Sequence, residues 1–297
     1  MSPRRPAAMI KEGIERLARA GLPTPRADAR LLLAHAARME PSGLATTREL
    51  DELVARRYEE LLTRRGSGEP LQYLTGVAWF RRIKVLVGPG VFIPRPETET
   101  VVQFALRTLV ALRPVTGPEP VVVDLCTGSG VIAASIAEEY PGRPRIWAVE
   151  ASEAALPWAR LNLEPRGVEL VHADMADALH ELDDRVDLVV ANPPYVPESA
   201  AAQLPDDVLG HEPHEALFAG EDGLDALRVL AGTAARLLRP GGWFVAEHDD
   251  TQGGTAPRLL AGTGAFHTIE DHLDLTGRPR FVSAVRGSGA LGPEVEE

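Results

Sequence analysis

The residues of this chain best suited to chemistry are the four at Asn192-Pro193-Pro194-Tyr195. They follow an apolar run, residues 186–191, whose composition predicts a buried strand. Because proline has no main-chain N–H, the chain must leave the sheet there in a rigid, extended turn. This turn fixes a carboxamide and an aromatic ring at the carboxyl end of a strand, where open α/β sheets bind ligands. Carboxamide and carbonyl oxygens accept hydrogen bonds from a planar NH2 group, so the motif predicts a site for an amide or an exocyclic amine.

A glycine-rich loop follows an earlier predicted strand, residues 121–125, and precedes a predicted helix. The loop consists of Cys126, Thr127, Gly128, Ser129 and Gly130. Glycine lets the main chain approach a ligand closely, and a helix N-terminus offers free amides. Glu150 ends the next predicted strand, a position from which a carboxylate grips ribose hydroxyls. The loop and this acid suit a nicotinamide cofactor as well as S-adenosylmethionine, because residues 128–133 also fit the GxGxxA fingerprint. A purely structural turn is a third reading.

Two further acids and a methionine lie close to the predicted strand ends. Asp124 is placed to hold the loop or to meet a cationic group of a ligand. Asp174 follows a third predicted strand, where an acid suits the exocyclic amine of adenine and Met175 can flank the ring. The alternative for Asp174 is a cap on a helix beginning near Met175. These residues favour S-adenosylmethionine, since a hydride-transfer enzyme has no obvious need for the turn at residues 192–195.

The elements that must position these residues fall into several regions. Residues 1–75 predict a helical bundle, with helices ending at Gly21, beginning at Pro25 and beginning at a capping box, Thr46–Glu49. Residues 76–95 predict a linking β-hairpin, residues 96–286 an α/β domain, and residues 287–297 a disordered tail. Strands are predicted at 121–125, 145–149, 168–171, 186–191, 242–247, 266–271 and 280–286. Their alternation with helices predicts a mostly parallel sheet covered on both faces.

Composition narrows the class of protein. The chain has 297 residues, of which 44% are apolar and 25% charged, as in ordinary globular proteins. A net charge of -12 disfavours generic nucleic-acid binding. There is one cysteine, no run of membrane-spanning length and no secretory signal, so we expect a cytoplasmic protein, and we expect a monomer. His211 and His214 flank a proline and lack the helical spacing of a metal site, and residues 248–250 are interpreted as an acidic surface turn.

Several motifs together resemble one known family. They are residues 20–29, 69–76, 93–99, 127–130, 192–195, 212–217 and 220–224. On these motifs the chain resembles the HemK/PrmC family, the protein-(glutamine-N5) methyltransferases that modify peptide chain release factors. The resemblance covers roughly residues 8 to 286. Its most specific segment is Pro94–Glu99, because the motif at 192–195 alone is shared with adenine-N6 methyltransferases.

The resemblance implies a fold, a cofactor and roles for residues. The fold is the class I methyltransferase fold, a Rossmann-like, mostly parallel seven-stranded sheet that ends in an antiparallel hairpin. The cofactor is S-adenosylmethionine, lined by residues 126–130, Glu150, Met175 and Asn192, and no metal is needed. Residues 192–195 hold the substrate glutamine and are the expected catalytic residues. The partner is a peptide chain release factor or another glutamine-bearing protein, and the helical region is expected to recognise it.

The chain departs from the family pattern at several positions. Cys126 replaces a usual glycine, Glu150 replaces a usual aspartate, and His211 stands where tyrosine is common. Asp249 replaces the glycine of a Glu-x-Gly-x-x-Gln pattern at residues 247–252. Three alternatives therefore stay open: an adenine-N6 methyltransferase on RNA or DNA, a nicotinamide-dependent oxidoreductase, and a cofactor-binding protein that has lost catalysis.

Overall fold

The computed structural model describes residues 4–117 and 119–288. The helices in this part of the chain are α1 Pro6–Arg19, α2 Pro25–Ala36, α3 Glu52–Gly66, α4 Leu71–Thr75, α5 Thr98–Thr116, α6 Val131–Glu139, α7 Leu156–Leu163, α8 Asp206–His211, α9 Asp225–Leu237 and α10 Thr255–Gly262. The strands are β1 Val77–Phe80, β2 Ile83–Leu86, β3 Val121–Leu125, β4 Arg145–Glu150, β5 Glu169–His172, β6 Val186–Ala191, β7 Leu238–Glu247, β8 Phe266–Leu273 and β9 Pro279–Arg286. The predicted disordered tail, 287–297, lies outside the described residues from 289 onward.

The chain divides into two compact units. The smaller one contains the described part of Met1–Val77 together with Val87–Pro89 and Leu204–His211. The larger one contains the described parts of Ala78–Leu86, Gly90–Gln203 and Glu212–Glu297. Within the described residues, no helix combines the length and the apolar character needed to cross a membrane.

In the smaller unit, α1 to α4 surround an apolar core built from residues such as Leu17, Leu32 and Leu62. A buried ion pair joins two of these helices, with Arg65 Nε 2.8 Å from Asp28 Oδ2. The Thr24 hydroxyl also donates to Asp28, at 2.7 Å. Because removing one partner of a buried pair leaves an uncompensated charge, this contact restrains how α2 and α3 pack.

The predicted start of the third helix at Thr46–Glu49 is wrong. Leu50 pairs with Arg4 in an isolated antiparallel bridge, which holds residue 50 extended. The helix therefore begins one turn later, at Glu52, where the Asp51 side chain accepts from the Val54 amide at 2.8 Å. Asp51 is a strong N-cap, and it takes the role that the sequence assigned to Thr46.

In the larger unit, a seven-stranded sheet has the strand order β5-β4-β3-β6-β7-β9-β8. The pairs from β5 to β7 are parallel, and β9 is antiparallel to both β7 and β8. This confirms the predicted mostly parallel sheet with an antiparallel final hairpin. The long apolar strands are buried, as parallel sheets covered by helices require. Strand β7 begins at Leu238, four residues before the predicted start.

Strand register brings four chain segments to one edge of the sheet. Leu125 on β3 pairs with Val149 on β4 and with Ala191 on β6. Ala191 in turn pairs with Ala246 on β7. The residues that directly follow these paired positions are Glu150, Cys126, Asn192 and Glu247. Parallel strands that end at one level place these side chains and the loops after them together, at the edge where α/β sheets bind ligands.

Candidate active site

The glycine-rich loop after β3 is held from below by Asp124. This carboxylate is fully buried, and its Oδ2 accepts from the Thr127 hydroxyl at 2.6 Å and from the Ala133 amide at 3.1 Å. Its Oδ1 is buried without a hydrogen-bond partner among the described residues. Burial raises the pKa of Asp124 to about 7. Asp124 thus ties the loop to the first turn of α6.

Glu150 lies against the same loop. Its Oε2 accepts from the Gly128 amide at 2.7 Å, and its Oε1 accepts from the Ser152 amide at 2.8 Å. The side chain is therefore fixed at the end of β4, as the sequence predicts for a residue that binds ribose hydroxyls. Glutamate in place of the usual aspartate is long enough to reach Gly128 across the loop.

Backbone geometry explains the glycines and exposes one oddity. Gly128 and Gly130 have positive φ angles, 56° and 81°. A Cβ at Gly130 would lie 2.7 Å from Leu163, whereas one at Gly128 would meet nothing within 4 Å. Cys126 has φ 61°, a left-handed conformation that costs an L-residue roughly 1–2 kcal/mol. The departure from glycine at this position is therefore a strained one.

The Cys126 thiol is not an activated nucleophile. Its sulfur lies 3.4 Å from the sulfur of Met175, so the structure brings these two predicted residues together. Burial, followed by repulsion from Glu150, raises the pKa of the thiol, which keeps it protonated at neutral pH. The pair forms an apolar, polarisable wall beside the loop.

Asp174 is exposed at the turn that follows β5. Its Oδ1 accepts from the Ala176 amide at 2.8 Å, so it caps that turn. The structure has a turn there rather than the helix that the alternative reading expected. A role toward adenine stays a prediction.

The motif after β6 is anchored at both of its ends. Asn192 Nδ2 donates to the Thr98 hydroxyl oxygen at 3.2 Å, and the Tyr195 hydroxyl donates to Glu247 Oε1 at 3.1 Å. Pro193 between them is buried. Desolvation, then the charge of Glu247, raises the pKa of Tyr195 well above its ordinary value. The tyrosine ring is therefore a fixed neutral wall beside the Asn192 carboxamide.

Glu247, at the end of β7, is itself nearly inaccessible, with 1% of its surface exposed. Burial raises the pKa of its carboxyl to about 7. Hydrogen bonding from Thr98, the charge of Arg280 and hydrogen bonding from Tyr195 act in the opposite direction, and the charge of Glu97 adds to the rise.

A loop from the Glu212–Leu224 region supports the main chain of this motif. The Val196 amide donates to the Leu217 carbonyl at 2.8 Å, and the Ala219 amide donates to the Val196 carbonyl at 3.1 Å. Arg95 Nη2 lies 2.5 Å from Glu212 Oε1, which joins the family motifs at 93–99 and 212–217. The motifs that carried the resemblance are thus physically joined within the larger unit.

The departure at Asp249 has a structural explanation. Asp249 accepts from the Thr251 amide at 3.0 Å, and its own amide donates to Gln252 Oε1 at 2.9 Å, so the two side chains form a capping box. At φ -64° this position does not need glycine. His248 is buried and lies 2.9 Å from Asp271, so the interpretation of this segment as an exposed acidic turn is wrong for His248.

Several residues of the site were missed from sequence. They are Thr98, Asn162, Gln252 and Glu247. Asn162 on α7 donates to the Ser129 carbonyl at 2.8 Å and exchanges two hydrogen bonds with the main chain of Leu86. A usable signal existed for Glu247, because it ends an apolar strand with a carboxylate just as Glu150 does. No comparable signal marks Thr98 or Asn162.

The donor set at this edge fits S-adenosylmethionine. A main chain open above Gly128, the N-terminus of α6 and the fixed Glu150 carboxylate form a cradle for a polar, hydroxyl-bearing ligand. The Cys126–Met175 wall suits an apolar ring face. Among the described residues, no group of three or more histidine, cysteine, aspartate or glutamate side chains is arranged to hold a metal ion.

Comparison with known proteins agrees with this geometry. Residues 8–76 match the model of the PrmC N-terminal domain, and residues 82–211 match that of the methyltransferase small domain. The release factor glutamine methyltransferase of Streptomyces coelicolor is 47% identical over 277 residues, 93% of this chain and 96% of that protein. That of Mycolicibacterium smegmatis is 43% identical over 279 residues, 93% of this chain and 96% of that protein.

A third relative carries a different name. The 4-amino-L-phenylalanine/4-methylamino-L-phenylalanine methyltransferase of Streptomyces pristinaespiralis is 42% identical over 241 residues, 81% of each chain. The domain matches and the sheet order make this chain an S-adenosylmethionine-dependent methyltransferase of the class I fold. Identity above 40% over almost the whole of both chains shows that it belongs to the release factor glutamine methyltransferase family.

Proposed function

We propose that this enzyme methylates the side-chain amide nitrogen, N5, of a glutamine in a peptide chain release factor, in the cytoplasm and as a monomer. The observation that carries the proposal is the strand register. Asn192 and Cys126 directly follow paired residues on neighbouring strands, so the motif suited to a planar NH2 group lies beside the cofactor loop.

The chain's own residues do this work by positioning. An amide nitrogen is a weak nucleophile because its lone pair is delocalised into the carbonyl. Asn192 Nδ2 is engaged by Thr98, which turns Oδ1 of the same carboxamide away from Thr98 and toward the substrate. Asn192 Oδ1 and the Pro193 carbonyl then accept the two N–H hydrogens, and Tyr195 packs on the amide plane. This orientation reduces conjugation and aims the nitrogen.

The cofactor is held by the loop and the acids around it. Glu150 binds the ribose hydroxyls, the amides near Gly128 face the polar end, and Met175 flanks the adenine ring with Asp174 at its amine. When bound, S-adenosylmethionine supplies an electrophilic methyl group on a sulfonium sulfur. Asp124 takes no direct part, because it is fully buried beneath the loop, but it holds the loop in place.

The helical unit is the part we propose to recognise the protein substrate. It carries a surface cleft of about 690 Å³ lined by residues of α2, α3 and the turn after α2. The basic side chains of this lining are His35, Arg38, Arg57 and Arg64. A charge reversal, Arg57→Glu, should raise KM for an intact release factor and leave turnover of a short glutamine peptide unchanged.

The deciding experiment measures transfer of a labelled methyl group from S-adenosylmethionine to four acceptors. These are the release factor, its Gln→Ala variant, nucleic acid and 4-amino-L-phenylalanine. Label on the release factor that disappears with the Gln→Ala change supports the proposal. Label on nucleic acid or the amino acid alone overturns it, and the amino acid is included because a relative named for it is 42% identical. The match of residues 8–76 to the PrmC N-terminal domain supports a protein acceptor.

A further inference from the structure

One buried carboxylate lies behind both ends of the substrate motif. Glu247 Oε1 accepts from the Tyr195 hydroxyl at 3.1 Å, and the Thr98 hydroxyl also hydrogen-bonds to this carboxyl. Thr98 opens α5 and Glu247 closes β7, and each has 1% of its surface exposed. Neither side chain is therefore accessible to the release factor.

The direction of the hydrogen bonds follows from the chemistry of the groups. An ionised carboxylate only accepts, so the Thr98 proton points to Glu247. The Thr98 oxygen is then left to accept, and its partner at 3.2 Å is Asn192 Nδ2. With the amino end of the carboxamide committed to Thr98, its oxygen end points away. A reversed chain would present an N–H group, which cannot accept from a substrate amide.

We infer that Glu247 is a positioning residue that sets the orientation of Asn192 through Thr98 and fixes the Tyr195 ring directly. This inference rests on the proposed function for its meaning in catalysis, but the hydrogen-bond chain it describes is a property of the protein alone. The register of β6 and β7 supports it, since Glu247 and Asn192 directly follow the paired residues Ala246 and Ala191.

The protonation of Glu247 is the handle for a test. The charged and titratable groups that face it are Arg280 on β9, Tyr195 after β6 and Glu97 before α5. Burial outweighs the favourable groups and brings the pKa of Glu247 to about 7. Protonated Glu247 is a donor and competes with the direction of the chain, so the orientation of Asn192 should weaken as pH falls through this range.

The experiment uses the full chain and compares Glu247→Gln with the wild type. Glutamine keeps the shape but offers an NH2 group to Thr98. We expect kcat to fall roughly 10- to 100-fold with little change in the Kd for S-adenosylmethionine, in line with the loss of a positioned group. The fall in wild-type kcat below about pH 7 should be absent from the variant. Thr98→Val should reproduce the loss, and Thr98→Ser should restore most of the activity.

A readout without substrate separates this inference from the proposed function. The side-chain NH2 resonances of Asn192, assigned by their absence in Asn192→Ala, should shift in Glu247→Gln and titrate near pH 7 in the wild type. Unchanged resonances, or a kcat within twofold of wild type, overturn the inference. If the wild type fails to methylate a release factor while these resonances behave as expected, the proposed function fails and the positioning role stands.

Discussion

Gln252 donates its side-chain amide to the main-chain carbonyl of Tyr195 at 3.1 Å, and the same nitrogen donates to the Asp222 carbonyl at 3.1 Å. With 3% of its surface exposed, Gln252 clamps the substrate motif to the loop that supports it. Gly223 lies inside this clamp, where a Cβ would be 2.3 Å from the Tyr195 carbonyl oxygen and 2.7 Å from Gln252 Nε2.

Replacing Gly223 by alanine should therefore damage both stability and activity. The position has φ 72°, and the new methyl group would collide with main chain that cannot move without moving Tyr195. We expect a loss of about 1–3 kcal/mol in the free energy of unfolding, measured by denaturant titration, with a fall in kcat. Gly232→Ala is the matched control. This exposed position in α9 meets nothing within 4 Å and should gain about 0.5–1 kcal/mol.

Asn192→Ala should abolish most turnover while leaving the cofactor site intact. The change removes an acceptor for the substrate amide, and loss of one such positioned group costs roughly 10²- to 10³-fold in kcat. Single-turnover kinetics would give the rate, and calorimetry the Kd for S-adenosylmethionine, which should change less than about threefold on the small free energy left at stake. Turnover at the wild-type rate would contradict the mechanism.

Glu150→Ala should weaken cofactor binding. Hydrogen bonds to a charged group are worth about 1.5–3 kcal/mol, so the Kd for S-adenosylmethionine should rise roughly 10- to 100-fold. Glu150→Asp keeps the charge and should lose less. Glu153→Ala, which removes an exposed carboxylate from the same segment, serves as the control and should leave the Kd unchanged. Equal effects at Glu150 and Glu153 would argue against a ribose contact.

Stability should fall as pH rises from about 4 to about 7, because Asp124 and Glu247 have raised pKa values. Each carboxyl has a folded-state pKa of about 7, above its ordinary value, so the folded protein binds more protons than the unfolded chain in this window. Their stabilising contribution is complete at low pH and is lost by pH 7. His272 acts in the opposite direction, since burial lowers its pKa and favours folding at higher pH.

Asp124→Asn isolates the carboxylate term, since the amide keeps the shape of the side chain but does not titrate. Unfolding free energies measured at pH 5 and pH 7.5 should differ less in the variant than in the wild type. The same slope in both proteins would show that Asp124 does not carry the pH dependence.

Sequence reasoning reached the site wherever the chemistry was local. Residues 126–130 and 192–195 are contiguous, and each contains its own geometric reason in glycine or proline. Thr98 and Glu247 are 149 residues apart and meet only because β6 and β7 pair in one register. A threonine at a helix start and a glutamate at a strand end are ordinary residues, and only the register reveals that they meet.

The same limit applies to the fold. Apolar runs located the seven strands of the sheet, because burial between helices leaves a strong signal. The start of α3 was misplaced, because the bridge between Arg4 and Leu50 is a contact across 46 residues that no local pattern contains. Asp51 and Thr46 are both acceptable N-caps, and tertiary structure selects between them.

The carboxamide of Asn162 gives Leu86 what a neighbouring strand would give. It accepts from the Leu86 amide at 2.8 Å and donates to the Leu86 carbonyl at 2.9 Å. Since β1 and β2 form a sheet of only two strands, the outer edge of β2 would otherwise display unpaired main-chain groups that can template an added chain. Asn162 closes that edge at Leu86, so one side chain behind the cofactor loop also protects the hairpin against intermolecular strand pairing.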